Sequence, residues 1–187
     1  MKLWTMLLLA LGLAMDAFAV SVSNGLCYRH LTVVQTLAIP FFFGAFQGVM
    51  PMLGRCAGGA FSAAIMKWGH WIAFGLLAAI GGRMMVGAAR GQDRPEGRSA
   101  REFRYRTLLF QALATSVDAL AVGVSFALVE TNATLASAVI AGVTFICSLA
   151  GVLIGKRFGA AASGRAEKAG GVLLIGLGVE ILLEHLL

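Results

Sequence analysis

Two aspartates stand in surroundings that offer them little water. Asp16 sits within Ala14-Met15-Asp16-Ala17-Phe18-Ala19-Val20-Ser21-Val22-Ser23, and Asp118 within Ser116-Val117-Asp118-Ala119-Leu120-Ala121-Val122-Gly123-Val124-Ser125. Both stretches lie in long apolar runs, and they are copies of one another. The same register carries Ala10 onto Ala112, Leu11 onto Leu113 and Ser23 onto Ser125. An acid at the centre of a membrane helix is unfavourable by roughly 2.5–3.5 kcal/mol on insertion scales, and marks a functional site by default. Two carboxylates converging in a low-dielectric site either keep a proton or take up a cation. A divalent cation neutralises the pair and competes with protonation, which is a physical route to cation–proton exchange.

The other donors within reach are also oxygens. Gln47 brings an amide and, because Pro51 four residues on has no N–H, a backbone carbonyl relieved of its helical partner. Thr115, Ser116 and Ser148 bring hydroxyls. All-oxygen sets suit Mg²⁺, Ca²⁺ or Mn²⁺ better than Zn²⁺ or Cu⁺. His30 and His70 fall outside the apolar spans and His185 at the far end of the sixth, so no imidazole cluster argues for zinc. Met15, Met50 or Cys147 would add one softer ligand and tilt the set toward Mn²⁺ or Fe²⁺. The candidate metal ligands are therefore Asp16, Asp118, Gln47, Ser148 and Thr115. Arg83, Ser23, Ser125 and Pro51 are candidates for coupling or gating: Arg83 as a partner for a buried aspartate unless it snorkels to the interface, the serines two turns from each acid, and the proline as a kink that frees the Gln47 carbonyl.

The elements that must position these groups follow from composition. The 187 residues are 59% hydrophobic and 13% charged, about half the charge of a soluble domain, and mean hydropathy is +0.85. The expected fold is an all-α integral membrane protein, with room for six transmembrane helices of about 20 residues. The spans run from about Leu3 to Leu26, Leu31 to Gly54, Trp71 to Ala89, Thr107 to Val129, Ala133 to Gly155 and Ala169 to Leu187. A weakly polar connector separates the second and third, from Cys56 to Gly69. The segments are a three-helix unit at 1–89, a charged linker at 90–106 and a second three-helix unit at 107–187. The first span resembles a secretory signal, but its apolar run continues past Ala17-Phe18-Ala19 and its motif recurs internally, so it reads as a retained helix. Cys27, Cys56 and Cys147 have no metal or disulfide spacing.

Basic residues fix the sidedness. Arg29, the linker arginines from Arg90 to Arg106, and Lys156, Arg157, Arg165 and Lys168 share one side, against Lys2, Arg55 and Lys67 on the other. The first side is expected to be cytoplasmic and both termini extracytoplasmic. The formal charge of +6 then belongs to membrane-flanking loops facing lipid headgroups, not to a nucleic-acid surface. Three spans per half make the copies enter the membrane from opposite sides, giving two inverted-topology three-helix repeats with substrate near the midplane. Gly54-Arg55 matches Gly155-Lys156, and that register pairs Gln47 with Ser148.

Ordered motifs along the chain carry a resemblance. They are Met15-Asp16-Ala17-Phe18-Ala19, Phe43-Gly44-Ala45-Phe46-Gln47 with Pro51 and Gly54, His70-Trp71-Ile72-Ala73-Phe74, Gly81-Gly82-Arg83-Met84, and Thr115-Ser116-Val117-Asp118-Ala119-Leu120-Ala121-Val122-Gly123. Together with length, spans and charged linker, they resemble the bacterial manganese efflux pump family, MntP, which is similar in plan to the LysE-type exporters. The resemblance implies Mn²⁺ as a transported substrate, not a resident cofactor, expelled across the bacterial inner membrane. It also implies that the family's membrane acids are Asp16 and Asp118. Some members carry glutamate where this chain has Gln47, which leaves one fewer negative charge here.

Two other readings use the same residues. An intramembrane aspartyl protease also needs paired membrane aspartates for acid–base work on water. The flanks Met15-Asp16-Ala17 and Val117-Asp118-Ala119 lack the Tyr-Asp and Gly-x-Gly-Asp motifs of those enzymes, so no enzyme is expected. An exporter of small organic cations such as basic amino acids would need an aromatic-lined cavity, for which Phe18, Phe41, Phe42, Phe43 and Phe46 are available. Residue patterns leave oligomeric state and proton stoichiometry open.

Overall fold

A computed structural model describes residues 3–28, 31–89, 103–128, 132–161, 172–176, 179 and 183. Five helices are assigned: α1 (Leu3–Cys27), α2 (Val33–Ala89), α3 (Tyr105–Ala114), α4 (Val117–Leu128) and α5 (Ala133–Ala161). Among the described residues three stretches are long and apolar enough to cross a bilayer, Trp4–Cys27, Val33–Cys56 and Ala133–Phe158. The pair α3 and α4 makes a fourth if its bend is taken as one broken span. The described residues thus form helices and no strand, with spans suited to an integral membrane protein.

Local sequence sets the helix starts. Thr32 and Gln35 open α2 with a reciprocal capping box. Gln35 N–H donates to Thr32 Oγ1 at 3.2 Å, and Thr32 N–H donates to Gln35 Oε1 at 3.0 Å. Asn132 opens α5 by accepting from Leu135 N–H at 3.2 Å. α2 then runs for 57 residues, through both Pro40 and Pro51. The connector expected at Cys56 to Gly69 is helical instead. Ala57, Ala60, Ala63 and Ala64 favour helix, and no proline follows Pro51 before Pro95. Of the expected sixth span, residues 172–176 are helical, and Leu174 is fully buried. The linker at 90–102, Arg29, His30, Glu180 and Glu184 lie outside the described residues.

Close crossings fix how the helices run. On α1 and α5, a Cβ at Gly151 would meet Phe18 O at 2.7 Å, and one at Gly155 would meet Gly25 Cα at 2.9 Å, so the two helices run parallel. On α2 and α5, Gly44 faces Phe145 while Gly48 faces Ser137 and Ala141, so these run antiparallel. On α2 and α4, Gly54 abuts Leu120 and Val124, and Gly123 abuts the Pro51 backbone; Gln47 meets Thr115 one step earlier, so these run parallel. It follows that α1 and α4 point in opposite directions. Small residues at such crossings let backbones approach where lipid offers no hydrophobic drive for association.

Two apolar clusters flank a polar level. One gathers Ala17, Val20, Tyr28, Leu31, Ile39, Phe43, Ala114, Val152 and Leu174. The other gathers Met6, Leu13, Met50, Ala119, Leu120, Phe126, Ala133 and Ile140. At the first cluster's end the connections meet. Phe103 stacks edge-on against Tyr28 and Tyr105, with ring centroids 5.3 and 5.0 Å away. There Lys156 Nζ also donates to Thr36 Oγ1 at 3.2 Å and Leu31 O at 3.4 Å.

Candidate functional site

The polar level is visible on every element that crosses it. Asp16 falls between Leu13 of one cluster and Ala17 of the other. Gln47 falls between Met50 and Phe43, Thr115 and Ser116 between Ala119 and Ala114, and Thr144 and Ser148 between Ile140 and Val152. Gln47, Ser116, Thr144 and Ser148 are completely buried and Thr115 nearly so; Asp16 and Asp118 are partly buried.

The fourth span is not the single helix expected from its sequence. α3 ends at Ala114, α4 starts at Val117, and the axes bend by 43° across Thr115–Ser116. The hydroxyls cause a local competition for carbonyls. Thr115 Oγ1 donates to Gln111 O at 3.0 Å and Ala112 O at 3.3 Å, and Ser116 Oγ donates to Leu113 O at 3.1 Å. The break places Asp118 in the first turn of α4, where the unsatisfied N–H groups and the helix dipole favour a carboxylate. Its Oδ1 accepts from Ala119 N–H at 2.8 Å. Asp16, the copy, lies within unbroken α1. Non-helical backbone at membrane depth is tolerated where it is buried in protein or lines a polar cavity.

Gln47 joins the two copies. Its Nε2 donates to Thr115 O at 2.8 Å and to Leu13 O at 3.1 Å. Leu13 and Thr115 are equivalent in the motif register, each three residues before its aspartate. The amide therefore brings the turns that carry Asp16 and Asp118 to one place from opposite sides. The other amide oxygen, Gln47 Oε1, is buried with no hydrogen-bond partner, as are the hydroxyls of Ser21, Ser137, Thr144 and Ser148. Gln47 and Ser148, paired by register, thus share one property: each holds a buried, unpartnered side-chain oxygen.

The remaining candidates separate. Ser23 is buried, whereas Ser125 is exposed and donates to its own helix at Ala121 O, 3.4 Å away. Thr115 turns its hydroxyl proton onto α3. Pro51 is buried, with its carbonyl against Gly123. Arg83 lies on α2, its side chain outside the described residues. Among the described residues no group of three or more His, Cys, Asp or Glu side chains is positioned to hold a metal. Any cation at this level would draw mainly on amide, hydroxyl and carbonyl oxygens beside the two carboxylates.

Sequence reading did not single out the Asn24–Gln111 pair. Asn24 Nδ2 donates to Gln111 Oε1 at 2.9 Å, and Gln111 Nε2 returns a bond to Asn24 Oδ1 at 3.2 Å, both side chains buried. The signal was present as two amides within about a turn of the ends of apolar spans. What it lacked was any indication that they face each other.

Fold and site together define a polytopic membrane protein, with buried polar groups gathered where one span is interrupted. A family profile described as "Putative manganese efflux pump" matches residues 30–182. Relatives named "Putative manganese efflux pump MntP" align along nearly the whole chain. One from Methanosarcina mazei is 46% identical, covering 100% of this chain and 98% of its own length. One from Rippkaea orientalis is 45% identical, covering 96% and 95%. One from Ruminiclostridium cellulolyticum is 41% identical, covering 100% and 98%. The chain belongs to the MntP family. No solved structure matches it.

Proposed function

We propose that this chain exports Mn²⁺ from the cytoplasm by alternating access around the polar level, with Asp16 and Asp118 as its charged ligands. The observation that carries the reading is the Gln47 bridge between Leu13 and Thr115. It holds equivalent turns of antiparallel copies together, as expected where an inverted repeat builds a midplane site. Relatives named for manganese efflux supply the metal and the direction.

In this reading Gln47 Oε1, the Ser148 hydroxyl and the oxygens around Thr115 complete the coordination that two carboxylates begin. Protons compete with Mn²⁺ for Asp16 and Asp118, because a carboxylate must be deprotonated to bind the metal. Inward proton flow then supplies energy for moving a dication against an inside-negative potential, which opposes export by about 2.3 kcal/mol per charge per 100 mV. The end bearing Tyr28, Phe103 and Lys156 faces the cytoplasm, consistent with the basic residues of its connections. The halves 1–89 and 107–187 are the moving units, with Pro51 and the Thr115–Ser116 break as hinges. Arg83, Ser23 and Ser125 are secondary candidates for coupling.

An organic cation is less well served. Phe43 is fully buried in a packed cluster and Phe41 is exposed on the outside of α2. Phe46 does line a cleft of about 190 Å³ with Leu109, Phe110 and Leu113, but Arg106 stands in the same wall and repels a cationic solute.

Cellular manganese in an export-deficient bacterial host tests the proposal. Under Mn²⁺ stress the native chain should lower manganese content, and the Asp16→Asn, Asp118→Asn double variant, inserted at equal level, should not. A native chain that is inserted yet leaves manganese unchanged would remove the assignment.

A further inference from the structure

Serine and threonine hydroxyls in membrane helices ordinarily return a bond to a carbonyl one turn back. Here Thr36, Thr115, Ser116 and Ser125 do so, at 2.9, 3.0, 3.1 and 3.4 Å. Four others do not. Ser21, Ser137, Thr144 and Ser148 are each at least nine-tenths buried, and their hydroxyls meet neither their own helix nor any other group. A buried hydroxyl without a partner has lost its water and gained nothing in exchange. That makes four such groups, with Gln47 Oε1 as a fifth oxygen, an expensive coincidence unless they serve a ligand.

Their placement gives them an order. Ser137, Thr144 and Ser148 recur at the seam spacing of α5 that also carries Ala141, Gly151 and Gly155, the face turned to α1 and α2. Ser21 packs its Cβ against Gly151, one turn from Ser148. Stepping back one turn from the Gly151–Phe18 contact brings Ser148 beside the turn of α1 that carries Asp16. Ser137 lies at the other end, its carbonyl beside Gly48, next to Gln47. Thr144 and Ser148 belong to the polar level. Ser21 lies beyond it among the residues of one apolar cluster, between Val20 and Tyr28, and Ser137 lies within the other, between Ala136 and Ile140.

We infer that Ser21, Ser148, Thr144, Gln47 Oε1 and Ser137 form a track of neutral oxygens that leads the divalent cation through both apolar clusters, along the α5 seam. The inference rests on the transport reading above and names the path to and from its aspartates. Hydroxyl and amide oxygens replace hydration water around a hard cation one ligand at a time. Being uncharged, they hold it weakly enough to let it pass on, which conduction requires. The aspartates supply affinity and the track supplies passage.

The test separates the two. The full-length chain is reconstituted in liposomes, and Mn²⁺ flux is measured beside equilibrium Mn²⁺ binding and thermal stability. Ser21→Ala and Ser137→Ala should each slow flux five- to twenty-fold, leave Mn²⁺ affinity within twofold, and leave the melting temperature unchanged or raised. Ser21→Thr and Ser137→Thr, which keep the hydroxyl, should restore flux. Thr144→Val and Ser148→Ala, at the aspartate level, should weaken binding as well. Flux within twofold of native in both alanine variants overturns the track and leaves the aspartate site standing. A native chain that neither binds nor moves Mn²⁺ overturns the transport reading and the track with it. Slowed flux with a lowered melting temperature and no rescue by threonine assigns these residues to packing, and also overturns the track.

Discussion

The carbonyl oxygens of Leu13 and Thr115 are held by a single side chain, Gln47, whose Nε2 donates to them at 3.1 and 2.8 Å. These carbonyls occupy the same place in two copies of one motif that run in opposite directions, and each stands one turn before an aspartate. A glutamine at this point is the clasp between the copies, and the behaviour of substitutions there follows from its two faces.

Gln47→Leu removes the donor from two buried carbonyls and should destabilise the chain by about 1–3 kcal/mol. Gln47→Glu replaces that donor with a third carboxylate. In metal-free protein an ionised glutamate faces two carbonyls and lowers the melting temperature; with Mn²⁺ bound, the added charge is offset. Thermal unfolding with and without Mn²⁺ should therefore show a larger metal-induced rise for Gln47→Glu than for the native chain.

Asn24 and Gln111 satisfy each other in a site closed to water. Either Asn24→Leu or Gln111→Leu alone strands a buried amide and should cost about 1–3 kcal/mol. The double leucine variant should be less destabilised than the two single losses combined. Denaturation midpoints of the four proteins, taken as a double-mutant cycle, check this.

Glycines divide into those that are crossed and those that are not. A Cβ at Gly25, Gly54, Gly123 or Gly155 runs into the backbone of a neighbouring helix, whereas one at Gly12 meets nothing within 4 Å. Gly12→Ala should be neutral or stabilising by up to about 1 kcal/mol, the helix-propensity gain. Each of the other four alanine variants should reduce the yield of folded protein in mild detergent, read by size-exclusion profile and melting temperature.

Acidification should weaken Mn²⁺ binding, because protons and the metal compete for the same carboxylates. Affinity measured across falling pH should decline in the native chain. The decline should be shallower in Asp16→Asn and Asp118→Asn, each of which has one fewer group to protonate.

The sequence disclosed the polar level more readily than its geometry. Asp16 and Asp118 stood out because a charge in an apolar run is expensive, and Gln47 because Pro51 follows it by one helical turn. Antiparallel copies followed from the repeated motif and the odd number of spans in each half; the crossings at Gly44, Gly48, Gly54, Gly123, Gly151 and Gly155 place α1 and α4 in opposite directions. The break at Thr115–Ser116 was not legible, since two hydroxylated residues in an apolar run fit a straight helix equally well. Only the hydroxyls' choice of their own helix carbonyls decides between the two. Nor did the pattern distinguish Ser125, which bonds back and is exposed, from Ser148, which is buried and unpartnered. Hydropathy spacing places a hydroxyl on a face but leaves its rotamer undetermined.

In the proposed mechanism the two copies build one cation site from Asp16 and Asp118. Its most direct test is Mn²⁺ flux in proteoliposomes holding equal amounts of native, Asp16→Asn and Asp118→Asn chains. Each single substitution should cut flux at least tenfold while the protein remains folded. Flux at the native rate in either variant would contradict it.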